Sequence, residues 1–92
     1  MLADPRLRQL SRIYQRPLET EDAARQAVAA DPGILASALF IEAAENDDVT
    51  SIDAALAYGD ARLAELAPFT GGAAAEVRRL LAEKLQAWAS VA

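Results

Sequence analysis

Cysteine and histidine are both absent from this 92-residue chain. The first absence excludes disulfides, thiolate metal sites and cysteine nucleophiles. The second removes the side chain most used as a general base near neutral pH, and the commonest transition-metal ligand. No catalytic, cofactor-binding or metal-binding residues are therefore expected. Aromatic residues are few, with one Trp, two Tyr and two Phe. No apolar run reaches the ~18 residues of a membrane span. Leu2 and Ala3 are followed at once by Asp4, Pro5 and several arginines, which is not a signal-peptide pattern. The expectation is a cytoplasmic protein without a membrane partner.

What is abundant is alanine, at 23 of the 49 residues that make up the 53% hydrophobic fraction. Alanine is the best helix former and buries little area. A chain this short also buries only roughly 60–65% of its unfolded surface. The composition predicts one helical domain over residues 1–92 with a thin core, one that a second copy or a partner completes. Arginine outnumbers lysine eight to one. With so much alanine, this suggests a GC-rich bacterial genome.

The helix starts are written in capping chemistry. Asp4-Pro5 pairs an N-cap acceptor with a proline at the first helical position. Leu7, Leu10, Ile13 and Tyr14 then form one apolar stripe, and Pro17 ends the helix. A second helix is expected from Thr20 to Ala30, with Glu21 and Asp22 in its first turn. Asp31-Pro32 repeats the start signal for a third, near 32–45. This helix is apolar all round, through Ile34, Leu35, Ala38, Leu39, Phe40 and Ile41, so it is expected to be central and covered on all sides. Thr50 to Asp53 matches a capping box. The fourth helix carries a stripe of Ile52, Ala55, Leu56, Gly59, Leu63 and Leu66. Pro68 and Gly71-Gly72 read as a break. A fifth helix, from about Ala73 to Val91, places Val77, Leu80, Leu81, Leu85 and Trp88 on one side, with Lys84 inside the stripe. The predicted fold is all-α, a compact bundle of four to five short helices with the central apolar helix near 32–45. The two Asp-Pro starts hint at a duplication, but their spacing differs from that of the helix starts that follow, and coincident capping explains them.

Charge is distributed unevenly. Residues 1–17 hold Arg6, Arg8, Arg12 and Arg16 against Asp4, a net of +3, while residues 18–92 carry a net of −8, giving −5 overall. Arg8, Arg12 and Arg16 recur every fourth residue and form a candidate partner-binding stripe. Guanidinium groups bind carboxylates and phosphates in bidentate fashion. Such a stripe serves an acidic protein surface or a nucleic acid, unless it pairs with the chain's own acids. Nucleic acid is the weaker reading in an acidic chain, because duplex binders concentrate many more cations.

Glu42, Glu45, Asp47, Asp48 and Asp53 lack the alternating acids, glycine and final glutamate of a calcium loop. Ser37 followed by Glu42 resembles the serine helix of acyl carrier proteins, but Ala36 stands where that family has aspartate. Ala54, Ala57, Ala61 and Ala64 lie along one arc of helix four. They serve either a close helix–helix interface or plain helix propensity on an exposed face.

These readings converge on a small non-catalytic protein–protein interaction or assembly module, homo-oligomeric in the first instance. An adaptor, a regulatory subunit and a component of a phage-like particle all fit. A nucleic-acid-associated accessory protein using the arginine face is the alternative. A small enzyme using carboxylates ranks third.

Overall fold

In the computed structural model, which describes residues 4–91, all regular structure is helical. Helix α1 (Pro5–Tyr14) begins where the Asp4 carboxylate accepts from the Arg6 backbone N–H at 2.9 Å. It ends at Gln15, which adopts a left-handed conformation with φ 57°. The following turn is tied back by Ser11, whose hydroxyl accepts from the Leu18 N–H at 2.9 Å and donates to the Leu7 carbonyl at 2.7 Å. That clamp delivers Leu18 into the core.

Helix α2 (Glu21–Ala30) is capped by Thr20, which accepts from the Ala23 N–H at 3.0 Å. Helix α3 (Pro32–Ala44) follows after a 92° bend. Asp31 repeats the Asp-Pro signal of α1 but not its chemistry, because it makes no side-chain cap bond. Helix α4 (Ile52–Glu65) starts one residue later than the capping-box reading. Its cap is Ser51, which accepts from the Ala54 N–H at 3.1 Å, not Thr50. The expected break at Pro68 is instead a short helix, α5 (Ala67–Thr70), with proline in its first turn where no N–H is missed. A 3₁₀ turn at Gly71–Ala73 leads into α6 (Ala74–Val91).

Helix α3 is central, as its composition predicts: it packs against α1, α2, α4 and α6. Leu35, Ala36, Leu39 and Ala43 form its buried side. They meet Leu7, Leu10, Val28, Leu63, Val77, Leu81 and Leu85 in one continuous core. Helices α4 and α6 approach closely at Gly59, which faces the buried Leu81. Helix α5 packs mainly on α2 and supplies Phe69, the largest fully buried side chain. The domain is elongated, 40 × 23 × 21 Å. Part of that length is the end of α6, where residues 86–90 are all exposed.

Tyr14 joins α1 to the start of α3. Its hydroxyl donates to the Asp31 carbonyl at 2.8 Å. Burial, then the Asp31 charge, pushes the phenol up to about 12. The unfolded chain ionises this group near the ordinary value of about 10. Between those values the folded protein holds a proton that the unfolded chain releases, so stability falls as pH rises. Tyr58 shifts in the same direction, by burial and by its bond to Glu42. The midpoint of thermal unfolding is expected to hold below pH 10 and to fall between pH 10 and 12. The Tyr14→Phe variant should show a shallower fall.

Candidate functional site

The expectation that α3 is covered on all sides is not met. Its outward face carries Ile34 at 37% exposure and Ile41 at 52%. These residues are seven apart and share one face of the helix. The neighbours of α3 converge on the Leu35/Leu39 side and leave the other open. An isoleucine left this exposed on a helix with no polar face is a surface without a partner inside the chain.

A cleft of about 120 Å³ adjoins that face. Phe40 and Ala44 of α3, Ile52 of α4, and Leu85 and Trp88 of α6 line it. Ala44 is one turn beyond Ile41, so cleft and face form one apolar surface. The sequence pattern grouped Trp88 with the core stripe of α6, but the structure leaves it 53% exposed. It lies in the exposed last turns of α6, against Phe40. The two rings meet edge to face, with centroids 6.1 Å apart and planes at 83°. Lys84, one turn earlier, is only half-buried.

The predicted arginine stripe is helical only in part: α1 stops at Tyr14, short of the expected end at Pro17, because Gln15 turns left-handed, so Arg8 and Arg12 share the helix and Arg16 lies in the turn beyond it. Arg8, Arg12 and Arg16 all face solvent, and among the described residues none makes an ion pair. The other five arginines are all paired. Arg6 binds Asp4 at 2.8 Å, donates to the Glu65 carbonyl at 3.1 Å and lies 4.8 Å from the Phe69 ring centre. Arg25 pairs with Glu21 and Asp22 and donates to the Pro68 carbonyl at 2.8 Å. Arg78 pairs with Asp60 at 2.8 Å, and Arg79 with Glu76 and Glu83. The chain's own carboxylates therefore do not absorb the stripe.

Arg62 is the most enclosed of the paired arginines. It binds Glu42 at 3.0 Å and Glu65 at 2.8 Å, and donates to the Gln9 side chain at 2.9 Å. Burial works against its charge, but the two carboxylates outweigh this and raise its pKa. The Tyr58 hydroxyl donates to the same Glu42 oxygen at 2.8 Å. Glu42 is thereby committed to a polar staple across α1, α3 and α4, separate from the acids of the 45–53 loop. Among the described residues, no group of three acidic side chains converges as metal ligands would.

The alanine arc of α4 also faces outward. Ala57, Ala61 and Ala64 are exposed and Ala54 is half-buried, opposite the buried Ala55, Gly59 and Leu63. Sequence reasoning missed the cleft because its walls come from three helices that the linear pattern does not bring together. No protein-family model matches the chain, and no curated protein or solved structure is significantly similar to it.

Proposed function

We propose that this chain is a small non-catalytic interaction or assembly module that associates with further copies of itself. The uncovered apolar surface of Ile34, Ile41 and Trp88 carries the reading. Scattered single apolar residues are normal on a protein surface, but a contiguous group beside a cleft marks an interaction site. A thin, alanine-rich core supports the same reading, because buried area gained between copies adds to stability by mass action. The α4 alanine arc is a second face that lets another backbone approach closely. An adaptor, a regulatory subunit and a particle component all use such surfaces. The nucleic-acid alternative rests on the exposed arginine stripe alone and is set second by the net charge of −5.

Light scattering at micromolar concentration is expected to give a mass at least twice the 9.8 kDa of one chain. Ile41→Asp should shift the population toward the monomer while keeping the helical circular-dichroism spectrum. Ala57→Glu tests the α4 face in the same way.

A further inference from the structure

We infer that the arginine face of α1 in one copy docks on the Trp88 cleft of a second copy. This rests on the self-association proposed above and specifies which two surfaces meet.

Charge left over within the chain supports that pairing. Once all ion pairs are assigned, three arginines remain without a partner among the described residues: Arg8 and Arg12 one turn apart on α1, and Arg16 in the turn that follows its left-handed end at Gln15. Six acids remain likewise, and four of them, Glu45, Asp47, Asp48 and Asp53, fall within nine residues of chain. All four are exposed. This segment also supplies the cleft wall at Val49, Thr50, Ser51 and Ile52. The cleft is therefore an apolar slot with an exposed indole, and exposed Glu45, Asp48 and Asp53 adjoin its wall residues Ala44, Val49 and Ile52 in the chain.

Arginine matches each part of it. Its guanidinium stacks on an indole face and binds carboxylates. Its aliphatic stem lies along apolar surface. Arg8 and Arg12 stand ~6 Å apart along α1, and Arg16 follows in the turn after the helix, so this end of the molecule offers several such groups close together. The unpaired arginines thus have a chemical complement on another copy. Stripe and cleft are different surfaces, so the contact is either made twice in a reciprocal two-fold dimer or is heterologous, closing into a ring or propagating.

Two charge reversals test this. The first variant is Arg8→Glu with Arg12→Glu and Arg16→Glu. The second is Glu45→Lys with Asp47→Lys and Asp48→Lys. All six positions are exposed, and circular dichroism checks that both variants fold. Each alone is expected to self-associate about tenfold or more weakly than the wild type at low salt. An equimolar mixture of the two should recover association, because each then meets an opposite charge. The sole tryptophan reports the event directly: wild-type emission should shift to the blue with concentration and revert in high salt.

Variants that associate as well as the wild type, or a mixture that fails to recover, would overturn this contact and leave self-association through α3 standing. A wild type that is monomeric at every concentration overturns both. The contact also falls if wild-type monomer is retained on DNA or RNA at low salt and the first variant is not, because the stripe then serves phosphates.

Discussion

Phe69→Ala is expected to cost about 3–5 kcal/mol of folding stability. Phe69 is 1% exposed and is the largest fully buried side chain. It hangs on α5, a helix of four residues with no side-chain cap of its own. A helix that short does not persist by propensity. It is held by the buried ring, by the Arg25 bond to the Pro68 carbonyl and by Arg6 against the ring. Removing the ring leaves a cavity and takes from Arg6 the aromatic face it lies over. A domain of this length is stable by about 5–14 kcal/mol in all, so the variant loses a large share. Urea denaturation followed by circular dichroism should show a lower midpoint at nearly unchanged slope. A loss below about 1 kcal/mol would mean that α5 is not part of the cooperative core.

Gly59→Leu is expected to cost about 3 kcal/mol by overpacking. A Cβ at Gly59 would stand 2.3 Å from Leu81 Cδ2, and Leu81 is 0% exposed, so it has little room to move. Glycine within a helix costs about 1 kcal/mol relative to alanine. Here that cost accompanies close contact between α4 and α6. Gly59→Ala sets the propensity gain against the clash, whereas Gly59→Leu adds volume with no such offset. Combining Gly59→Leu with Leu81→Ala returns space to the same spot. The double variant should be more stable than the sum of the two single losses implies, by about 1 kcal/mol or more. Strict additivity would contradict the contact.

The bundle was largely readable in the sequence because capping is local chemistry. Asp4 and Thr20 each bond an N–H two or three residues on, so neighbouring residue types suffice to place α1 and α2. The start of α4 slipped by one because Thr50 and Ser51 offer the same hydroxyl, and only geometry selects Ser51. Helix α5 was not legible. Pro68 reads as a breaker, and what orders the segment is Arg25, 43 residues away in sequence.

The candidate surface divides in the same way. The every-fourth spacing of Arg8, Arg12 and Arg16 suggests a stripe, but the left-handed Gln15 ends α1 before Arg16, and no pattern short of Pro17 announces that stop. Whether acids quench it depends on pairs such as Arg62–Glu42 and Arg78–Asp60, whose separations of 20 and 18 residues no local pattern encodes. The apolar character of α3 was visible, but which side its neighbours leave open was not. Trp88 kept its place in the α6 periodicity and still lies half exposed, because periodicity gives the face of a helix and not where the bundle beneath it ends.

Sedimentation velocity of the wild type across the micromolar range, beside Ile41→Asp, tests self-association through α3 most directly. The wild type should sediment faster as concentration rises, at a mass of two or more chains, and Ile41→Asp should remain a folded 9.8 kDa species under the same conditions. A wild type that sediments as a single chain throughout would contradict it.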